Sequence, residues 1–278
     1  MITSITSLPA LGSGLGFREP FRADLFLHRE DVDFLEITAD HYFDVTPEKV
    51  RELDLLRDHF PLIPHGLDLS LGSAEGIDPA YLGQFAAIVE WLAPPWWSEH
   101  VAFTRAGGTE IGHLTPLPFG EEALEVLADN VRAARGRIET PLLLENITYT
   151  LDLPGGEMGE AEFLTALLER TDCGLLLDVT NLYINAVRHR YDPVCFLESL
   201  PAERVVQLHY VGISRHGGTL VDDHAKPTPP EVWALMEEVL KRAPVKGIIL
   251  ERDEDLPPFG EILEEVGHAR SLMRRYGR

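Results

Sequence analysis

The stretch Cys173 to Asn181, CGLLLDVTN, predicts a short buried β-strand that ends in a carboxylate at Asp178. Strands of a parallel sheet are covered on both faces and therefore read as continuous apolar runs. A charge inside such a run is costly, whereas a charge at its end can face a cleft. The stretch thus indicates a parallel strand that carries one reactive side chain to the edge of a sheet.

The same pattern recurs in five other stretches of the chain. Each is a short apolar run that ends in Glu or His: FLE at Glu36, LIPH at His65, LLLEN at Glu145, VQLH at His209 and IILE at Glu251. A single residue of this kind is most often a helix N-cap or a salt-bridged loop residue. Six such strand ends in one chain instead favour convergence on a common cleft.

Strand patterns alternate with helical patterns along the whole chain. Thr46-Pro47-Glu48 is a typical helix start, and residues 121–138 have apolar residues at helical spacing. Eight strand candidates can be counted, and no linker or composition shift marks a second domain. This predicts an α/β protein, a single (β/α)8 TIM barrel over residues 1–278, with residues 1–13 as a leader and Gly14–Arg18 as a weak first strand.

An open doubly wound sheet is the alternative architecture. It is disfavoured because GSGLGF near the N-terminus lacks the context of a phosphate-binding turn. The barrel interpretation leaves long connections at the rim over residues 105–120, 148–159 and 213–230, and a further connection over residues 182–193. Connections of this length are often functional.

Composition limits the classes of function. The chain has 24 Lys and Arg against 46 Asp and Glu, a formal charge of −22, so it lacks the basic excess of a nucleic-acid-binding protein. Its two cysteines form no disulfide framework, which fits a reducing compartment. The N-terminus does not read as a secretory signal, and no apolar run approaches the length of a membrane span. We expect a cytoplasmic protein without nucleic-acid or membrane partners.

The strand ends and the loop after the seventh strand collect many carboxylates and imidazoles. The candidates are Glu36, His65, His100, Glu145, Asp178, His209, Asp222, His224 and Glu251. Crowded carboxylates repel one another, and bound cations relieve that repulsion. Carboxylate and imidazole without thiolate suit Fe(II), Mn(II), Zn(II) or Co(II), and the set exceeds what one octahedral ion can use. The sequence therefore predicts a site for two or more metal ions.

The residues alone leave several reactions open. No GxSxG motif supports a serine hydrolase, and glycoside hydrolysis does not require four histidines. Metal-dependent isomerisation, phosphate-ester hydrolysis and oxygen activation remain.

Several motifs carry a resemblance to a known family. They are PHG with SLG at 64–66 and 70–72, SEH at 98–100, LLLEN at 142–146, LLLDVTNLYINAVRHRYDP at 175–193, LH at 208–209, D-x-H at 222–224 and ERD at 251–253. Together they resemble the DUF692 family, also called UPF0276, over nearly the whole chain. The resemblance implies a xylose-isomerase-like barrel with two or three iron ions. It also implies O2-dependent modification of cysteine or another residue in a ribosomally made peptide, often with a small substrate-recognition protein.

The resemblance also assigns residues to the site. The positions that match the family's iron ligands are His65, His100, Glu145, Asp178, His209, Asp222, His224 and Glu251. Asn181, His189 and Glu36 match neighbouring positions that orient the ligands or add to them. The chain departs from the family pattern at Ile213 and Ala225, which bears on the number of ions and on the substrate. Manganese or zinc can replace iron in purified protein of this kind.

Two other functions stay open on the same barrel. One is a metal-dependent sugar-type isomerase or phosphoesterase, for which two metals and a base suffice. The other is a barrel that binds a ligand without turnover.

Overall fold

Eight parallel strands form a closed barrel in the computed structural model, which describes residues 4–151 and 153–278. Each strand pairs with the next along the chain, and the last pairs with the first. The strands are β1 Gly12–Gly16, β2 Leu35–Thr38, β3 Leu62–His65, β4 Trp97–His100, β5 Leu142–Glu145, β6 Gly174–Asp178, β7 Val205–Tyr210 and β8 Gly247–Leu250. The predicted (β/α)8 TIM barrel is confirmed.

The helices surround this barrel. They are α1 Arg22–Leu27, α2 Pro47–Arg57, α3 Pro79–Leu92, α4 Glu121–Arg137, α5 Glu160–Thr171, α6 Val179–His189, α7 Pro193–Ser199, α8 Pro230–Arg242 and α9 Phe259–Arg275. The predicted helix start at Thr46 is confirmed, because its side chain accepts from Lys49 N and Pro47 is the first helical residue. In the part of the chain that the structure describes, no helix is long and apolar enough to cross a membrane.

The interior of the barrel has an apolar floor beneath a polar layer. Side chains that point inward recur every second residue along a strand. Five floor residues precede a candidate site residue by two positions, as Leu143 precedes Glu145 and Leu176 precedes Asp178. The floor consists of Ile5, Leu8, Phe34, Ile63, Trp96, Leu143, Leu176, Val206 and Ile249. A larger apolar layer fills the space between the strands and the helices.

The N-terminal segment contributes to this floor. Ile5 and Leu8, which fall in the predicted leader, are buried at 6% and 3% exposure. The first strand begins at Gly12 rather than at Gly14, and residues 1–3 of the leader lie outside the described residues. Glycine is needed in this strand because a Cβ at Gly14 would lie 2.4 Å from the Phe34 carbonyl oxygen. The single-domain prediction stays a prediction.

Three predicted connections contain regular structure. Residues 105–120 include most of an antiparallel hairpin, Phe103–Ala106 with Thr109–Thr115, which we name the edge hairpin. The loop over residues 213–230 begins with a smaller hairpin, Ser214–His216 with Thr219–Val221. The prediction of a connection over residues 182–193 is wrong, since α6 extends to His189. The Asp178 side chain accepts from Asn181 N at 2.7 Å and starts that helix directly after β6.

Candidate metal centre

The first group of candidate ligands comprises His65, His100 and Glu145, from three successive strands. The Nε2 atoms of His65 and His100 each lie 3.4 Å from Glu145 Oε2. All three side chains are buried. Two atoms bound to one ion at about 2.1 Å each are separated by about 3 to 3.5 Å, so the spacing fits a shared ion.

His65 and His100 form hydrogen bonds through Nδ1, on the side away from the cavity. Their Nε2 atoms are therefore directed at Glu145 and can serve as metal ligands. His100 Nδ1 faces two acceptors, the Gly66 carbonyl oxygen at 3.1 Å and Glu99 Oε1 at 3.2 Å. Because both are acceptors, Nδ1 carries a proton, and in the neutral ring Nε2 presents its lone pair to the cavity. His65 Nδ1 lies 2.8 Å from Ser98 Oγ. Such outer partners are typical of metal-binding histidines.

Glu145 joins the first group to a second one. Its Oε1 lies 3.1 Å from His209 Nδ1, which in turn lies 3.1 Å from Glu251 Oε2. Ligand atoms of Glu145, Asp178, His209 and Glu251 all lie within 4.8 Å of one another. Glu145 Oε2 is buried and accepts no hydrogen bond from the described residues. A buried carboxylate oxygen without a donor is costly, and a cation between the imidazoles would satisfy it.

The electrostatics of the metal-free site reflect this crowding. Burial, reinforced by Asp222, Glu145 and Glu251, raises the pKa of Asp178 well above its usual value. Burial lowers the pKa of His65 well below its usual range, and the nearby His100 and His209 lower it further. For His209, the carboxylates outweigh burial and raise the pKa. Negative charge is therefore in excess around an imidazole pair, which favours cations in the site.

Residues of the loop after β7 approach the same cavity from above. Asp222 Oδ1 lies 3.2 Å from His224 Nε2, and His224 Nδ1 lies 3.1 Å from Asp253 Oδ2. Burial would lower the pKa of His224, but Asp222, Asp253 and Glu251 raise it to about 12. Asn181 Oδ1 is buried without a donor among the described residues. Asn181, Asp222 and His224 line the same cavity, beside the two ligand groups.

The candidate ligands surround a cavity of about 490 Å³. This volume lies within the range of small-molecule sites. Its wall includes seven of the eight predicted ligands, all except His209. His209 is fully buried beneath the cavity and contacts the carboxylates from below. The other wall residues are Arg18, Thr38, His41, Leu67, Leu114, Ile147, Thr148, Asn181 and Asp253.

The remaining sequence candidates lie outside the cavity wall, in different places. Glu36 is buried under the site, and its Oε1 lies 2.9 Å from His209 Nε2. His189 lies away from the cavity wall, where it stacks on Tyr149 with ring centroids 4.2 Å apart. The two positions that depart from the family pattern, Ile213 and Ala225, do not line the cavity either.

Sequence reasoning missed two residues that support the site. Glu99 is 1% exposed and holds three amide or imidazole groups, namely His100 N, His100 Nδ1 and Leu69 N. Gln207 donates to Glu36 Oε2 at 2.6 Å and accepts from Trp96 Nε1 at 2.6 Å. Gln207 lies two residues before His209 on the same strand, so both side chains face the barrel interior. The sequence pattern could therefore have indicated Gln207.

Comparison with known proteins places the chain in a family. The profile described as "RiPP precursor modification enzyme MbnB/TglH/ChrH" matches residues 12–274. The chain belongs to this family. A UPF0276 protein of Caulobacter vibrioides is 36% identical over 268 residues, with 96% of each chain covered. A UPF0276 protein of Rhizorhabdus wittichii is 37% identical, with 95% of this chain and 96% of the relative covered. The resemblance to DUF692 and UPF0276 is thus confirmed.

Solved structures confirm the xylose-isomerase-like barrel. Endonuclease IV from Thermus thermophilus is similar with a TM-score of 0.57 and 18% identity, covering 96% of this chain and 98% of the other. D-psicose 3-epimerase from Clostridium cellulolyticum gives a TM-score of 0.58 at 10% identity, with 94% and 92% covered. Identities this low support a shared fold and no shared reaction.

Proposed function

We propose that the protein is a multinuclear iron-dependent oxidase that uses O2 to modify cysteine or another residue in a ribosomally made peptide. The observation that carries the proposal is the position of Glu145. Its two carboxylate oxygens face two different ligand groups, one with His65 and His100 and one with His209. A carboxylate shared in this way suits adjacent ions. The family description supports a precursor peptide as substrate.

Two ligand groups and the cavity wall support a proposed set of residues for each ion. His65, His100 and Glu145 would hold one ion, and Glu145, Asp178, His209 and Glu251 a second. Asn181, Asp222 and His224 would hold a third. Oxygen and imidazole ligands without thiolate suit iron, and they also admit manganese or zinc in purified protein. When bound, iron supplies Lewis acidity and one-electron redox chemistry with O2.

The chain's own residues prepare this site in three ways. Glu99 and the Gly66 carbonyl oxygen keep the proton of His100 on Nδ1, which leaves Nε2 as an electron-pair donor. The apolar floor closes the barrel below the ligands and excludes water from that side. Leu67, Leu114 and Ile147 give the cavity apolar wall segments beside the ligands, which fits one amino-acid side chain with its adjoining backbone.

The test is O2 consumption by anaerobically purified, iron-loaded protein. Peptides are drawn from precursor-like sequences that contain cysteine, with and without any small protein encoded beside this gene. The proposal predicts peptide-dependent O2 uptake and a mass change confined to one residue. Turnover of a sugar or a phosphate ester without O2 would contradict it in favour of the isomerase or phosphoesterase alternative. A matched control, Leu176→Ala, keeps every candidate ligand.

A further inference from the structure

Among the described residues, the backbone of the edge hairpin is hydrogen-bonded to the rest of the protein through its first strand and its turn. Thr104 N and Arg105 N both donate to Ser70 Oγ, at 2.9 and 3.2 Å. At the tip, Gly108 N donates to both Glu75 carboxylate oxygens, at 3.0 and 3.1 Å. The strand Phe103–Ala106 therefore has bonding partners on both of its edges.

The other strand, Thr109–Thr115, has a free outer edge. Its backbone forms no hydrogen bond with any segment outside the hairpin among residues 4–151 and 153–278. Thr109, Glu110, Gly112 and His113 are exposed. Proteins usually protect such edges with several charges, proline or a covering loop. Here the protection present is one acidic side chain, the bend at Gly112, with φ +79°, and a shift in the pairing register between Glu110 and Thr115.

The alternation of an antiparallel ladder shows which groups face this edge. Ala106 and Thr109 flank the two-residue Gly107–Gly108 turn and form the hydrogen-bonded pair next to it. The next pair, Arg105 with Glu110, is then non-hydrogen-bonded, so both residues direct their N–H and C=O groups away from each other. Arg105 N bonds to Ser70 on its side, as expected. The N–H and C=O of Glu110 face the free edge.

The free edge leads to the candidate metal centre. Leu114, near the end of the strand, lines the same cavity as His65, His100 and Glu145. Glu110 and Leu114 are four residues apart, and the bend at Gly112 and a shift in the pairing register lie between them, so the regular part of the edge is at Thr109 and Glu110. A chain paired along this edge would therefore have one end in solvent and the other at the cavity mouth.

We propose that the free edge of Thr109–Thr115 binds the substrate peptide as an added β-strand and delivers its reacting residue past Leu114 into the cavity. This rests on the proposed peptide substrate. Strand addition takes its affinity from backbone hydrogen bonds and its selectivity from alternate side chains. It suits a substrate that is unfolded before modification, because such a segment carries its own unpaired backbone groups.

The test uses Glu110→Pro, with Glu110→Ala as its matched control. Proline removes the outward N–H of residue 110 and spares the hairpin's internal bonds, since that N–H is outside the ladder. Alanine removes the same side chain and keeps the N–H. A displayed library of random peptides sharing one fixed cysteine is selected on the wild-type holoprotein. The strongest binder is then synthesised, and its affinity for each variant is measured.

The proposal predicts about tenfold weaker binding to Glu110→Pro and wild-type affinity for Glu110→Ala. It also predicts that N-methylation of the peptide weakens binding at alternate residues within the segment that pairs beside Glu110. A selection without binders, equal affinity for the two variants, or N-methyl effects without that period would overturn it. So would a wild-type dimer in sedimentation that Glu110→Pro dissociates, since a second copy would then occupy the edge.

The same peptide separates this proposal from the proposed function. Binding that depends on the edge, without O2 uptake, would leave strand addition standing and contradict the oxidase. Modification that proceeds equally in wild type and Glu110→Pro at limiting peptide would support the oxidase and overturn strand addition.

Discussion

Replacement of Asp178 by Asn separates a helix-capping role from a metal-binding role. The Asp178 carboxylate accepts from Asn181 N at 2.7 Å, and its ligand atom also belongs to the group formed with Glu145, His209 and Glu251. Asparagine caps a helix about as well as aspartate. The substitution therefore preserves the start of α6 and removes one buried negative charge from the ligand group.

The two roles predict effects of different size. Burial raises the pKa of Asp178 well above its usual value, so its charge is unfavourable in the metal-free fold. The metal-free Asn variant should unfold at the wild-type temperature or above it. Loss of a ligand should weaken metal binding about 100-fold or more. A 100-fold change removes about 2.7 kcal/mol of metal-induced stabilisation. In a protein of this size that corresponds to roughly 5 to 10 °C.

The assay is thermal unfolding with and without Fe(II) under anaerobic conditions, paired with metal analysis. The control is Leu176→Ala, on the same strand two residues earlier. Leu176 is 0% exposed in the apolar floor. Its truncation should lower the free energy of unfolding by about 2 to 5 kcal/mol, because it creates a cavity in the floor. The loss should be the same with and without metal, because every candidate ligand is kept. If Asp178→Asn binds metal as fully as wild type and gains the same stabilisation, the assignment of this strand end to the metal centre is refuted.

Three further predictions concern residues around the site. Glu99→Gln should weaken the affinity of the ion held by the first ligand group about tenfold in a metal titration, because the amide cannot replace both carboxylate oxygens. Burial raises the pKa of Glu160 to about 7. The stability it contributes is thus present below about pH 4.5 and lost as pH rises through 7. In urea unfolding, the free energy of unfolding should fall less between pH 5.5 and pH 8 in Glu160→Gln than in wild type, by about 1 to 3 kcal/mol. Gly212→Ala should lower the ion stoichiometry while the first two ligand groups keep their metal, because a Cβ there would lie 1.8 Å from the Lys226 carbonyl oxygen and displace the loop that carries His224. Full stoichiometry in that variant would contradict the role given to this loop.

The barrel could be predicted because its strands are short, fully buried and regularly spaced. Each inward position alternates with a position that packs against helices, as Leu176 lies in the floor while Leu175 and Leu177 pack outside. The period of two then brings Asp178 to the cavity. Sequence alone could thus place the strand-end carboxylates and imidazoles together, and the structure brings them within reach of one another.

Other features could not be predicted because they depend on contacts distant in sequence. In the strand pattern Glu99 is the outward neighbour of His100. Its role depends on Leu69 N, which donates to it, and it shares His100 Nδ1 with the Gly66 carbonyl oxygen from the preceding connection. The start of α6 is hard to predict because its cap is Asp178 itself, a residue that the pattern assigns to the site. The edge hairpin resembles a loop in sequence because glycines interrupt its alternation.

Metal stoichiometry of wild type and Glu145→Gln tests the central claim most directly. Glu145 faces both ligand groups, so the claim predicts at least two iron ions per chain in anaerobically purified wild type and loss from both groups in the variant. His65→Ala, which removes a ligand of the first group alone, should retain the second ion. Fewer than one ion per wild-type chain, or a Glu145→Gln protein with the wild-type metal content, would contradict the account.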